Sequence, residues 1–231
     1  MGYPVEMIGT NTALFSIIGT DAIENKKDSV FNNYFKNLDV DCKMMPLNIR
    51  QDDIGFFLNG LKDSQIKAVY FEKEYWEQIV SLLECDNEEI NFCGICDTID
   101  IEDNNYTMRL SIGKAIVDLL GDIDSKTVVI VGSSNEAKST LFNLIKKNPA
   151  KIILAEETIE ELMDMMSIIP KTLPYEIVRI QNNNISEDYD MCINFMDNIL
   201  NCNINYNDNF DKILDKIAKT NTKNWSDKWK I

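Results

Sequence analysis

The chain of 231 residues contains no histidine. That removes the commonest general base, and with it Ser–His and Cys–His nucleophilic catalysis. It also removes the usual nitrogen ligand for zinc, so a metal site would have to be assembled from cysteines and carboxylates; none is expected. Basic residues are scarce, 23 Lys and Arg against 38 Asp and Glu, for a net charge of −15. Neutralising nucleic-acid phosphates takes basic patches, so nucleic acid is not an expected partner. No apolar run reaches the roughly 18 residues of a membrane span, so no transmembrane helix is expected. The opening MGYPVEMIGTNTALF has neither a basic start nor a convincing cleavage site, so no signal peptide is expected and a cytoplasmic location is the default. Repeats and low-complexity linkers are missing too.

Apolar residues make up 45% of the chain, enough for the core of one large or two small domains. The six cysteines are Cys42, Cys85, Cys93, Cys96, Cys192 and Cys202. Most stand in apolar runs, as buried reduced thiols do. Cys93 and Cys96 have C-x-x-C spacing, but no second pair follows, so two thiols on a strand are expected rather than a metal or redox site.

The stretch from Lys126 to Thr158, KTVVIVGSSNEAKSTLFNLIKKNPAKIILAEET, is the organising element. Residues 127–131 form a β-branched apolar run suited to a strand buried on both faces. Gly132 ends it, and Ser133, Ser134 and Asn135 offer turn and N-cap chemistry. Ala137, Leu141, Leu144 and Ile145 recur at helical spacing, Asn148-Pro149 stops the helix, and a second apolar strand starts at Lys151. The result is a βαβ unit. Its turn aims helix N–H groups at a place where a phosphate fits. Of the three glycines of the dinucleotide fingerprint only Gly132 remains, so a plain strand-turn-helix and a working nucleotide site both stay open. Glu156 and Glu157 close the second strand. An acid there holds a ribose 2′-hydroxyl and repels a 2′-phosphate, which favours NAD over NADP if a nicotinamide cofactor binds.

Before that unit, strands are expected at 14–19, 40–49 and 66–71, alternating with helices at 29–38, 51–61 and 74–83, the order that builds a parallel sheet. Residues 21–27 read as a polar loop, 90–101 as extended, 103–105 as a hairpin turn, and 108–120 as a linking helix. After the unit come a Met-rich helix at 158–168, whose Met163, Met165 and Met166 read as core filler, strands at 175–180 and 190–194, a polar loop at 201–209 and a last helix at 210–218. The tail with Trp225 and Trp229 stays unassigned. The expected fold is two-domain α/β: an N-terminal substrate-type domain over 1–105, then a shortened Rossmann-like domain over 106–231.

Several short stretches in this order resemble the shikimate dehydrogenase family over roughly residues 14–200. Ile18-Gly19, Phe31-Asn32 and Phe35 resemble its IG…SxSPxxHNxxF opening. Residues 66–69 stand where it has the FxGxNVTxPxK strand. Gly94-Ile95-Cys96-Asp97-Thr98 resembles GAxNT, Ile130-Val131-Gly132 the glycine-loop strand, and YDMCIN, ending at Asn194, the strand D-[LI]-[VI]-I-N. The resemblance implies a nicotinamide cofactor near Gly132, Ser133, Ser134, Asn135, Glu156 and Asn194. It implies a substrate pocket at Asn25, Lys27, Trp76, Asp97, Thr98 and Arg109.

At those positions the family's working residues are replaced. Its two carboxylate-binding serines fall on Asn25 and Lys27, its catalytic lysine on Trp76, its paired aspartate on Arg109, the asparagine of GAxNT on Asp97, and its NADP-reading NRT on Glu156, Glu157 and Thr158. The family's C-terminal glutamine and closing helix have no clear counterpart. Tryptophan transfers no proton and arginine stays protonated, so shikimate dehydrogenase activity is not expected and no catalytic residue is assigned. Lys27 and Arg109 in one cleft would favour a small anionic ligand, with Trp76 as a flat wall. The leading expectation is thus a diverged member binding an anionic ligand or a partner. The alternatives are a repurposed NAD-dependent oxidoreductase, with Asp97, Tyr70 or Tyr75 as proton route, and a purely structural or interaction role.

Overall fold

The computed structural model describes residues 8–180, 185, 187–197 and 202–231. In chain order these form β1 (Ala13–Gly19), α1 (Ala22–Asn25), α2 (Asp28–Asn37), β2 (Cys42–Asn48), α3 (Ile54–Leu61), β3 (Ile66–Phe71), α4 (Trp76–Leu82) and α5 (Glu88–Cys93). There follow β4 (Thr98–Glu102), β5 (Asn105–Arg109), α6 (Ile112–Leu120), β6 (Thr127–Val131), α7 (Asn135–Leu144) and β7 (Lys151–Glu156). The chain continues with α8 (Met163–Ser167), β8 (Tyr175–Arg179), β9 (Met191–Asn194), β10 (Ile204–Asn205) and α9 (Phe210–Trp229). The fold is mixed α/β, with two compact units. Unit 1 holds the chain up to Asn87, Ile95–Arg109 and Ala218–Ile231; unit 2 holds Glu88–Gly94 and Leu110–Ile217.

The sheet of unit 1 runs β2-β1-β3-β4-β5. β1 pairs in parallel with β2 and β3, while β4 and β5 form an antiparallel hairpin against β3. Phe15, Ile17, Ile18, Ala68, Val69 and Phe71 are fully enclosed, as apolar runs on both pleats of a covered parallel strand must be. The hairpin turns on Asp103 and Asn104, both with positive φ (48° and 61°), a conformation Asp and Asn tolerate better than most side chains. Trp225 of α9 stacks on Phe15 with ring centroids 4.8 Å apart and lies over Phe31 and Phe35.

The sheet of unit 2, β10-β9-β6-β7-β8, is parallel throughout. Its apolar core includes Val129, Val131, Ile153, Ala155 and Ile180. α6 packs closely on α7: a Cβ on Gly113 would lie 2.2 Å from Ser139 Oγ and 2.3 Å from its carbonyl group.

Tertiary context overrode several sequence expectations. Residues 90–101 are not one extended run. Glu88 and Glu89 open α5, where their charge suits the helix dipole, and Gly94 (φ 70°) ends it. Cys93 is therefore helical, and only 98–102 is strand. Met108 and Arg109 belong to β5 rather than to a helix, because the hairpin needs a returning strand: Met108 pairs with Ile99 and Arg109 with Thr98. The polar segment 21–27 contains α1, and the segment 201–209, whose Asn201 lies outside the described residues, contains β10. Met165 is enclosed, but Met163 is 65% exposed and fills no core.

Two further corrections concern cysteines and the tail. Cys192 and Cys202, read as reduced thiols, are joined by a disulfide, their Cα atoms 4.7 Å apart. The parallel pairing of Ile204 with Ile193 brings the chain ahead of β10 back to Cys192. The last helix does not stop at 218 but runs to Trp229. Ile213, Leu214, Ile217, Ala218, Asn221, Thr222 and Trp225 keep one buried stripe at helical spacing, with two polar residues inside it. The expected boundary at 105/106 therefore differs from the observed division, which returns 218–231 to unit 1.

Candidate functional site

In open α/β sheets ligands bind beyond the carboxyl ends of the parallel strands. At that edge of unit 1 the central group is Glu72, directly after β3 and 4% exposed. Asn25 Nδ2 donates to both its oxygens, at 3.3 and 3.1 Å, and Lys27 Nζ donates to Oε2 at 2.5 Å. Asn25 ends α1 and Lys27 precedes α2, so the short helical link after β1 sets both donors. Gly19 makes the room: a Cβ there would lie 2.8 Å from Glu72 Cδ. Beside it, Thr20 donates its N–H and hydroxyl to Glu74 Oε1.

A second network in unit 1 centres on Asp100. Its carboxylate accepts from Arg109 Nη2 at 2.8 Å, Trp225 Nε1 at 3.0 Å and Lys228 Nζ at 3.3 Å. Arg109 Nη1 also donates to Asn221 Oδ1, and Asn221 Nδ2 donates to Thr98 Oγ1. The Thr98 hydroxyl donates to the enclosed carboxylate of Asp97 at 2.8 Å. Four residues of the expected pocket thus fall into two groups: Asn25 and Lys27 converge on Glu72, while Thr98 and Arg109 take part in fixing α9.

This corrects the two-cation reading of Lys27 and Arg109. Each is ion-paired with a buried acid, because a carboxylate taken almost wholly out of water needs a counter-charge, which the half-buried cation supplies. Trp76 is no pocket wall either. It is 1% exposed, and its indole N–H donates to the Phe71 carbonyl at 2.6 Å. Sequence reasoning missed Glu72, Asp100, Asn221 and Lys228. Glu72 had one local signal, an acid at the carboxyl end of an apolar strand; the others become visible only through α9.

The proton-route candidates are also engaged. Tyr75 donates its hydroxyl to the Ile49 carbonyl, and burial, reinforced by Glu74, Glu72 and Asp21, pushes its pKa up to about 12. Tyr70 packs its enclosed ring against Phe31. Burial first, then the Glu89 charge, raises the Cys93 thiol to about 12, and burial raises Cys96 further. At neutral pH both are protonated and poor nucleophiles. Among the described residues no cluster of three or more His, Cys, Asp or Glu could hold a metal. No helix among them is long and apolar enough to cross a membrane.

In unit 2, Gly132 (φ 98°) links β6 to α7. A Cβ there would lie 3.3 Å from Phe195 Cβ and 3.4 Å from Met196 Cγ, so both backbone angle and space call for glycine. Ser134 caps α7 by accepting from Ala137 N, with Asn135 as first helical residue. Asn194 ends β9, accepts from Met196 N at 3.0 Å and donates to Asn205 Oδ1. Glu156 ends β7 nearly enclosed, accepting from Glu157 N at 2.9 Å. Ser133 donates to Glu161 at 3.3 Å, which places a further acid beside the turn. Arg179, the register partner of Glu156, donates Nε to the Glu157 carbonyl; its strand was expected, but its place beside Glu156 is set only by the pairing of β8 with β7.

No family model matches the sequence. Among curated proteins the chain is 21% identical over 196 residues to the shikimate dehydrogenase (NADP(+)) of Methanosphaera stadtmanae, covering 81% of this chain and 69% of that protein. To the enzyme of the same name from Alkaliphilus oremlandii it is 22% identical over 198 residues, with the same coverage. Among solved structures it is similar to shikimate 5-dehydrogenase from Listeria monocytogenes in complex with shikimate and NAD, with a TM-score of 0.68, 15% identity and coverage of 83% and 71%. It is also similar to ligand-free 5-ketofructose reductase of a Gluconobacter strain, with a TM-score of 0.70, 14% identity and coverage of 81% and 70%. At these identities the structural likeness shows the fold. The chain is thus similar in sequence to the shikimate dehydrogenases and has an α/β fold like theirs, with a Rossmann-like second unit.

Proposed function

We propose that this protein is a nicotinamide-dinucleotide binder of the shikimate dehydrogenase fold that does not turn over shikimate. The observation that carries the second half is the fate of the two positions to which the resemblance assigns proton handling. One holds Trp76, enclosed and bonded to the Phe71 carbonyl; the other holds Arg109, ion-paired with Asp100. Neither side chain takes a proton from an alcohol near neutral pH.

The first half rests on the parallel β6-α7-β7 crossover, the left-handed Gly132 and the acid ending β7. Gly132, Ser133, Ser134, Asn135 and Asn194 would hold the dinucleotide, and Glu156 would accept from a ribose hydroxyl. When bound, the cofactor would accept a hydride in its oxidised form or supply one in its reduced form. Glu156, Glu157 and Glu161 favour NAD over NADP, although the curated relatives are named for NADP. The Gly132 geometry also serves local packing against Phe195, which would keep the turn in a purely structural protein. A repurposed oxidoreductase acting on a small hydroxy or keto compound is the second reading, favoured by the likeness to a ketose reductase fold.

The test is a thermal-shift titration with NAD, NADH, NADP and NADPH, alongside a shikimate turnover assay with NAD and NADP. A ligand that binds only the native state raises its stability by about 2.7 kcal/mol at one hundred times its dissociation constant. A shift with NAD or NADH and no shikimate turnover is the expected result. No shift with any nucleotide removes the binding half, and turnover comparable to a shikimate dehydrogenase removes the other.

A further inference from the structure

The edge of unit 1 holds an anion, and the anion is the protein's own. Glu72 is almost fully enclosed, yet its carboxylate has an ammonium at 2.5 Å and an amide across both oxygens. A Cβ on Gly19 would lie 2.8 Å from Glu72 Cδ and Oε1, so any larger residue there would push the carboxylate aside. A buried carboxylate is costly to desolvate and persists where charge and hydrogen bonds offset that cost. Three separated stretches of chain contribute: the end of β1, the link between α1 and α2, and the residue after β3. Such convergence describes a carboxylate-binding site, here satisfied by a tethered occupant. A tethered group competes at a far higher effective concentration than a free one.

We propose that Asn25 and Lys27 form a carboxylate-binding site closed by the Glu72 side chain, so that the native protein takes no free carboxylate there and gains that ability only when Glu72 is shortened. The inference concerns unit 1 alone and does not depend on whether unit 2 binds a dinucleotide.

The experiment is chemical rescue read by thermal midpoint without nucleotide. The variants are Glu72→Ala, Glu72→Gln and the double variant Lys27→Met/Glu72→Ala, and the probes are sodium acetate, sodium formate and sodium chloride at equal ionic strength. Glu72→Ala, which leaves Lys27 without its buried partner, is expected to melt about 10 °C below the native protein in chloride. Acetate or formate should recover part of that loss with a saturable dependence. The native protein and Glu72→Gln, whose side chains still fill the site, should melt alike in acetate and chloride, as should the double variant. If Glu72→Ala does not fold in chloride, refolding yield replaces the midpoint, and acetate-dependent recovery supports the proposal. Equal behaviour of Glu72→Ala in all three salts overturns it, as does an acetate-specific shift in the native protein or the double variant.

Discussion

The indole N–H of Trp225 donates to the Asp100 carboxylate at 3.0 Å, joining the last helix of the chain to the inner strand of the hairpin. The same ring stacks on Phe15, so one residue contributes both a polar and an apolar contact to the packing of the end of α9 within unit 1.

Trp225→Ala is expected to cost about 3–5 kcal/mol, the range for truncating a buried aromatic. Asp100→Asn should cost less, about 1.5–3 kcal/mol, because Arg109 and Lys228 lose their shared counter-charge but keep some access to water. Because Trp225 and Asp100 touch, the double variant should lose less than the sum of the two. Urea midpoints of the three variants check this, and strict additivity would show that the two residues act separately.

Two glycines give opposite expectations. Gly113→Ala drives a methyl into Ser139 of α7, including its main chain, which cannot swing aside; a loss of about 1–3 kcal/mol or more follows. Gly60→Ala, late in α3 with no atom within 4 Å of the added carbon, should stabilise by about 0.4–1 kcal/mol. Denaturant unfolding of both variants reads the contrast, and the same sign for both would contradict the packing described for α6 and α7.

Glu89 ties α5 to α7 by accepting from Ser139 Oγ at 2.6 Å and Asn143 Nδ2 at 2.7 Å. Burial nevertheless raises its pKa above the ordinary 4.5, against the lowering effect of those bonds and of Lys146. With the folded pKa above the unfolded one, the folded state binds the proton more tightly. Its contribution to stability is then fully present below about pH 4.5 and is lost as pH rises through the folded pKa. Glu89→Gln removes that dependence. Stability measured from pH 4 to 8 should therefore fall less with rising pH in Glu89→Gln than in the native protein. Parallel curves would mean that Glu89 does not titrate in this window.

Much of the architecture was legible because it is local. The runs at 14–19, 66–71 and 127–131 are short, β-branched and apolar, which only a strand covered on both faces requires, and each is a strand. Gly132 followed by Ser134 announces a turn and a cap, and both form. Where two periods compete, local reading failed. Residues 88–93 carry apolar residues that fit a helix as well as a strand, and the end of β5, Met108 and Arg109, was read into the following helix because its pairing with β4 is not written in its own residues.

The site divides in the same way. From the sequence came the acids that close β7 and, through the resemblance, the expectation that Trp76 and Arg109 stand at the proton-handling positions, since each depends only on which residue stands where. The partners came from the fold. Lys27 meets Glu72 across 45 positions, and Asp100 meets Lys228 across 128. Charge composition names the ions but not their pairing, because burial decides which carboxylate a cation must keep. Two cations that read as an invitation to an anionic ligand are, once the chain is folded, already neutralised by the protein itself.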